Sequence, residues 1–389
     1  MSIHRYSITL LAALAIGGTT SGQVMADKDK DENNTGACSQ TARTMLRACG
    51  HDTRDDYNVT LANCQNIEDR HERKDCRRDA KVALAEGKES CEEVFEARSG
   101  VCELVGEDRY DPDPLTDRDF IDDPDGANPF LSLQPGGTKV LRVYEDGEQT
   151  EEVVIIRVTD QIREILDVPC RVVVDVALEE ALVEDEDDED FGQIDYTVLE
   201  ATDDWYAQDI NNNIYYCGEL SRNFEDGVLT DLDGSFEAGK EYAKSGTLLR
   251  AMFPGYGVAD RQEFALGEAE DVVVYLSDEA SPSEEIGENE AFSCDDMCLE
   301  TRDLNPNDPG GYEIKYYVPG TGFVLAAVFE GDAIEGEGEF IGEVEELVCS
   351  GGDEILTEAG LAGCGIEDPA ELLEDLCELA PDAFCPDID

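Results

Sequence analysis

Residues 38–102 run CSQTARTMLRACGHDTRDDYNVTLANCQNIEDRHERKDCRRDAKVALAEGKESCEEVFEARSGVC and carry six of the 14 cysteines of this 389-residue chain. The intervals between these cysteines are 11, 15, 12, 15 and 11, a palindrome centred on residue 70. Six cysteines allow 15 pairings. Only the nested set, Cys38 with Cys102, Cys49 with Cys91 and Cys64 with Cys76, accounts for the mirror. About 11 residues make three turns of an α-helix and about 15 make four, so the cysteines of each arm return to one face. Two antiparallel helices about 8–10 Å apart bring facing Cα atoms within disulfide reach. The spacing therefore predicts a helical hairpin over 38–104 that turns near Asn66-Ile67-Glu68-Asp69, with cysteines as staples rather than metal ligands or nucleophiles. Met45, Leu46 and Leu61 share the cysteine stripe on one arm, and Ala80, Leu84 and Phe95 share it on the other. Gly50-His51-Asp52 is expected to kink the first arm and Gly87 to weaken the second.

Outward from the hairpin, the chain is dominated by acid. It holds 94 Asp and Glu against 28 Lys and Arg, a formal charge of −66. The hairpin has 11 basic residues against 14 acidic, whereas residues 105–389 have 14 against 76. Such a balance excludes a nucleic-acid binder, which needs clustered basic residues. Charge of this size opposes compaction unless salt screens it, so a halophilic habit, or a reservoir of divalent cations, is expected. Arg70, Arg73, Lys74, Arg77, Arg78 and Lys81 gather near the hairpin tip. They form a solvated face interleaved with Glu72, Asp75 and Asp79, or a contact for an anionic surface.

Residues 1–26 have the pattern of a cleaved secretory signal, with His4 and Arg5, an apolar Ile8–Ile16 stretch, and Val24-Met25-Ala26 before the cut. No later apolar run approaches the roughly 18 residues of a spanning helix, so no membrane span is expected. All 14 cysteines lie beyond residue 26, which implies a disulfide framework in a secreted or periplasmic protein.

Residues 105–137 are rich in Asp, Pro and Gly and are expected to form an extended linker. From residue 138 the pattern alternates with period two. Lys139 to Tyr144 and Glu152 to Val158 flank an Asp146-Gly147 hairpin signal, and further strands are expected at 171–178, 194–207, 214–220, 271–276 and 312–329. Long helical patterns do not separate them, which points to antiparallel meanders over 138–345. The overall expectation is an α+β protein: a stapled helical hairpin, an antiparallel half-barrel or sandwich, and a Cys-rich tail at 346–389. Cys170 and Cys217 are expected to link strands and Cys294 and Cys298 to close a loop. Three pairings remain open for Cys349, Cys364, Cys377 and Cys385.

Catalytic signals are sparse. The two histidines beyond the signal, His51 and His71, both lie on the hairpin, which leaves the β region without a Ser/His/acid triad or a His-based zinc site. The 234–241 segment approaches a phosphate loop, but Glu241 stands where Ser or Thr must hold magnesium, so a hairpin turn is expected there. Asp209, Asn211 and Asn213, and Asp231 with Asp233, place oxygens at alternate positions as Ca²⁺ loops do. Neither completes the 12-residue pattern, and turns between strands are the competing reading. The seven acids at 184–190 are expected to be a solvated loop.

Three segments taken together, Asp204-Trp205-Tyr206-Ala207-Gln208-Asp209 with Tyr216-Cys217-Gly218-Glu219, Asp260-Arg261-Gln262-Glu263-Phe264 with Gly267 to Asp271, and Lys315-Tyr316-Tyr317-Val318-Pro319-Gly320-x-Gly322, resemble a group of exported bacterial proteins without an assigned function. The resemblance spans roughly residues 105–330 and carries over no catalytic residue. The Pro-Gly-x-Gly ending also resembles strands of periplasmic half-barrels that carry lipid or lipoprotein cargo. The hairpin resembles the twin-cysteine hairpins of the coiled-coil-helix type, with longer spacings and one more rung. The function expected is that of a non-enzymatic binding or interaction protein, with Trp205, Tyr206 and Phe264 as candidate contacts for an apolar ligand. A calcium-dependent structural or surface protein, and a carboxylate-based hydrolase with a buried Asp/Glu pair, are the alternatives.

Overall fold

A computed structural model describes residues 36–111, 115, 119–183, 192–225, 227–287, 289 and 291–385. The expected signal and the 184–190 acids lie outside the described residues. Helices α1 (Ala37–Gln65) and α2 (Arg70–Val105) form the hairpin. Disulfides Cys38–Cys102, Cys49–Cys91 and Cys64–Cys76 bridge them, with Cα separations of 5.7, 5.8 and 5.7 Å. The Asp69 carboxylate starts α2 by accepting from the His71 and Glu72 amides, which satisfies two of the four orphan donors of a helix start. The same two bonds hold its pKa below the usual carboxylate range. The Arg73 guanidinium donates to the Ile67 and Glu68 carbonyls across the turn.

Contrary to the expectation from propensity, α1 runs unbroken through Gly50-His51-Asp52. Gly87 has a packing role instead. A Cβ there would meet Thr53 Cγ2 at 2.7 Å, and Thr53 is the residue opposite it in the same mirror that pairs the cysteines. The missing side chain lets the two helices approach, a benefit that opposes the conformational cost of glycine.

Most of the remaining described residues build an antiparallel sheet of 15 strands. Strands β1 (Thr138–Glu145), β2 (Glu148–Ile165), β3 (Val168–Leu182), β4 (Ile194–Gln208) and β5 (Ile214–Glu225) form one meander. Short β6 (Val228–Asp231) and β7 (Phe236–Glu237) pair beside β5, followed by β8 (Lys244–Leu249), β9 (Ala259–Arg261) and β10 (Glu263–Phe264). The second meander comprises β11 (Val272–Ala280), β12 (Cys298–Leu304), β13 (Gly311–Val318), β14 (Gly322–Asp332) and β15 (Glu337–Gly351), and β15 pairs with β1 to join the two. Two tight turns explain the first meander. Asp146-Gly147 and Leu166-Asp167 have positive φ at both central residues, the twist that suits a two-residue hairpin. Asp146-Gly147 is the signal read from sequence; Leu166-Asp167 has no glycine to announce it.

The strand order ends at β10 on one side and at β9 on the other. Those two strands are consecutive, separated only by Gln262. Residues 259–261 pair with β11, and 263–264 pair with β8, so one short segment joins both edges and the sheet curls closed. Closure removes the exposed edges that an open sheet must protect. Gly246 in β8 permits it, because any Cβ there would run into the Arg261 and Gln262 carbonyls. Backbone atoms cannot step aside, so Gly246→Val is expected to cost at least about 3 kcal/mol. Urea unfolding checks this, and a loss below about 1 kcal/mol would mean that the seam tolerates opening.

Alternation along the strands divides the core in two. Val154, Ile156, Val173, Tyr206, Tyr216, Tyr275, Phe323 and Leu325 face inward. Val140, Ile155, Val174 and Val176 face outward under the tail helices α3 (Glu358–Gly363), α4 (Pro369–Leu379) and α5 (Pro381–Phe384), which contribute Leu361, Leu372, Leu376 and Phe384. The structure pairs Cys349 with Cys364 and Cys377 with Cys385, a choice the spacing left open. It also pairs Cys170 with Cys217 and Cys294 with Cys298. The Asp/Pro-rich segment lacks long elements but is anchored: Phe130 and Leu133 are buried in the inner core. Asn128 caps that contact, its carboxamide donating to the Asn212 and Leu249 carbonyls and accepting from the Phe130 and Leu131 amides.

Candidate functional site

The foot of the hairpin rests on the second meander. Val101 of α2 packs with Val272 and Val274 of β11 and Tyr312 of β13. The Arg98 guanidinium grips Glu270 through both carboxylate oxygens and donates to Asn307 Oδ1 at 2.7 Å. Between this foot and the sheet seam lies a cleft of about 1010 Å³. Its walls are the first turns of α1, including Ala42 and Met45, and its floor is the seam segment with Arg261, Phe264 and Leu266. Tyr110, on the strand-like exit from α2, closes one side. The rings of Tyr110 and Phe264 lie 5.1 Å apart, and the Arg261 guanidinium sits 5.1 Å from Phe264 and 5.9 Å from Tyr110. Lys244 donates to the Tyr110 carbonyl and reaches Asp111 at 3.1 Å, which fixes the wall in place. The volume lies at the upper end of the range for small-molecule sites.

A second hollow of about 850 Å³ lies beside the Asp146-Gly147 turn, lined by Ile286, Phe340, Ile341 and Val344. Its buried polar side chain, Asn289, is already bonded to the Val324 and Leu347 carbonyls and the Ala291 and Phe292 amides. It therefore offers no unmet polar demand.

The inner face of the sheet holds an unusual charge cluster. Tyr216 hydroxyl lies between the Asp204 and Glu219 carboxyls, 2.7 Å from the latter. A phenol has one proton to donate, so two ionised carboxylates cannot both receive it. Burial first, and then the Asp204 and Glu219 charges, hold the Tyr216 hydroxyl well above its ordinary pKa. Burial also raises Asp204. Asp175 is pushed far up by burial and by Asp204 and Glu200, and Glu263 by burial and by Asp271 and Glu219. Neither oxygen of the Glu263 carboxyl has a hydrogen-bond partner among the described residues. Asp204 and Glu219 are a buried Asp/Glu pair of the kind a carboxylate hydrolase requires, but the hydroxyl of Tyr216 fills the gap where such a hydrolase holds water.

The sequence-based ligand contacts do not converge. Trp205 packs on the outer face against Cys170, Cys217 and Tyr215, with Arg163 stacked 3.7 Å over its ring. Its neighbour Tyr206 points into the inner core beside Tyr216. Phe264 alone reaches the cleft. Period-two alternation already requires that adjacent strand residues face opposite ways, so the sequence held the signal that separates Trp205 from Tyr206.

The two loops suggested for calcium are satisfied from within. Asp209 accepts from the Asn211 and Asn213 amides at 2.8 and 2.9 Å and from the Asn213 carboxamide at 3.0 Å, an Asx turn. Asp231 accepts from Asn223 and from the Asp233 amide in an exposed hairpin. Three carboxylates with mutually close oxygens occur among the described residues at Asp195, Glu371 and Asp375, where β4 meets α4. There burial, then Glu371 and Asp195, push Asp375 up to about 6. Sequence reasoning singled out neither this trio nor Tyr110. Arg261 appeared only within a resembling segment, although a basic residue in a region with 14 basic against 76 acidic was itself a signal.

No family model matches the chain, and no curated protein matches it. Two solved structures are similar to it. One is a protein described as exported, with a YmcC-like fold, from Bacteroides fragilis, at 13% identity over 57% of this chain and 98% of that one, with a TM-score of 0.23. The other is described as a lipoprotein, from Parabacteroides distasonis, at 10% identity over 60% of this chain and 100% of that one, with a TM-score of 0.25.

Proposed function

We propose that this is an exported, non-enzymatic binding protein that holds an apolar-bodied ligand in the cleft between hairpin and sheet. The observation that carries this reading is the cleft itself, where Tyr110 and Phe264 present their rings beside Met45 and Leu266. Paired aromatic surface of this kind supplies binding area at little conformational cost. Export is supported by chemistry independent of the cleft. All cysteines of the described chain are in disulfides and none is free, which fits an oxidising compartment. No helix among the described residues is long and apolar enough to cross a membrane.

The neutral fluorophore N-phenyl-1-naphthylamine tests the site. The oxidised protein is expected to enhance its fluorescence saturably, and Phe264→Ala to weaken binding at least about fivefold, the equivalent of about 1 kcal/mol of lost ring contact. Ile341→Ala, in the second hollow, is expected to leave binding unchanged. Loss with Ile341→Ala and none with Phe264→Ala would relocate the site, and no enhancement by the wild-type protein would reject the reading.

A further inference from the structure

Arg261 is the buried cation of the cleft that lacks a carboxylate. It is 9% exposed, and a buried guanidinium is costly unless its donors are met. Elsewhere among the described residues the chain meets that demand with acid. Arg98 binds Glu270, Arg142 binds Glu180, Arg157 binds Asp353, Arg171 binds Asp123, and Lys315 lies between Asp303 and Glu313. Arg302, the other buried arginine without a carboxylate, spends its guanidinium on the Ile334 carbonyl. Among the described residues the Arg261 guanidinium makes one hydrogen bond, from Nη2 to the Cys38 sulfur at 3.3 Å, a weak acceptor, and Glu270 acts on it through charge without an ion pair.

Four of the five acids that line the cleft are engaged, and the fifth, Asp108, is exposed beside Arg109. Glu270 is held by Arg98 and by the Gly267 amide. Asp260 takes Arg250 through both oxygens, at 2.6 and 2.7 Å. Asp111 faces Lys244, and Glu107 accepts from Ser39 at the start of α1. In a region with 76 acids to 14 bases, a buried cation that lines the cleft with four of its five donors unspent among the described residues and two aromatic rings beside it has the form of a receptor.

We propose that Arg261 anchors the head group of an amphipathic organic carboxylate whose apolar body lies along Phe264, Tyr110, Met45 and Leu266. The planar fork of a guanidinium matches a carboxylate through two parallel hydrogen bonds. The flanking rings accept both the cation and a hydrocarbon chain. This inference rests on the cleft reading above and adds the sign of the ligand's charge and the residue that selects it.

The test displaces bound N-phenyl-1-naphthylamine from the full, oxidised chain with dodecanoate or with dodecanol at neutral pH. Dodecanoate is expected to displace it at about tenfold lower concentration, the worth of one charge-assisted pair. Arg261→Met, which keeps the stem and removes the fork, is expected to bring that ratio to about one while fluorophore affinity stays within about twofold. The exposed rim variant Arg109→Gln is expected to keep the preference. Equal displacement by acid and alcohol in the wild type overturns the anchor while leaving the cleft reading in place, and this comparison stands even if Arg261→Met fails to fold. Loss of the preference in Arg109→Gln, or its survival in Arg261→Met, also overturns it. Failure of the fluorophore to bind at all removes the cleft reading and the anchor together.

Discussion

Changing the six hairpin cysteines to serine is expected to abolish roughly half or more of the helical signal of α1 and α2 while the sheet stays folded. The reason lies in how little apolar surface the hairpin buries. Away from its foot, the buried residues of the two helices are Ala80 together with Cys64 and Cys91, and Val59 and Val82 are about half exposed. Isolated helices gain most of their stability from a packed face, and here sulfur takes the place of that face. The outer rung closes a loop of sequence separation 64, worth about 4 kcal/mol in the chain-entropy description. The foot is expected to persist, because Val101 and the Arg98–Glu270 pair dock it on the sheet. Far-ultraviolet circular dichroism of the hexa-serine variant decides the matter. A signal at 222 nm equal to that of the wild type would show that helix propensity, not the rungs, holds the hairpin.

The protein is expected to melt at a higher temperature in mild acid than at pH 8, the reverse of an ordinary acid-sensitive protein. Burial, reinforced by Glu343 and Glu179, moves Glu152 from 4.5 to about 7, and Asp375 rises to about 6. Burial holds Asp175, Glu263 and Glu345 well above the carboxylate range. A carboxyl whose pKa is higher folded than unfolded binds its proton more tightly in the native state. Its stabilisation is therefore complete below the unfolded value, near 4, and is lost as pH rises through the folded value. For Glu152 alone the window from 4.5 to about 7 is worth about 3 kcal/mol.

The opposing groups are weak. Asp69, Asp231 and Glu354, fully exposed, Glu107, nearly so, and Glu237, held between Lys240 and Arg163, have lowered values, but their stabilisation is lost only as pH falls below the ordinary carboxylate range. Lys139, held at about 8 by burial, adds stability only as pH climbs above 8. The chain's −66 charge acts in the same direction as the buried acids, since protonation relieves self-repulsion. Calorimetric melting at constant ionic strength should fall steadily from pH 5 to pH 8, and Glu263→Gln should make that fall shallower by removing a buried carboxyl whose ionisation burial opposes. A melting temperature that is flat or rises with pH would contradict the assignment.

What could be read along the chain was what repeats within a few turns or a few strand residues. The cysteine mirror specifies the hairpin because helical period and disulfide reach are both local quantities. The Asp146-Gly147 turn and the alternating runs placed β1 to β5 and β11 on an antiparallel sheet for the same reason, whereas the single strand expected at 312–329 is folded back at Pro319-Gly320 into β13 and β14. Tertiary structure alone decided that residues 259–264 stitch the two sheet edges together, because pairing partners far apart in sequence leave no periodic trace. It alone decided which tail cysteines meet, which of the 94 acids are buried, and that Arg261 is left without a carboxylate. Burial and charge pairing are sums over neighbours from the whole chain, and no window of sequence contains those neighbours.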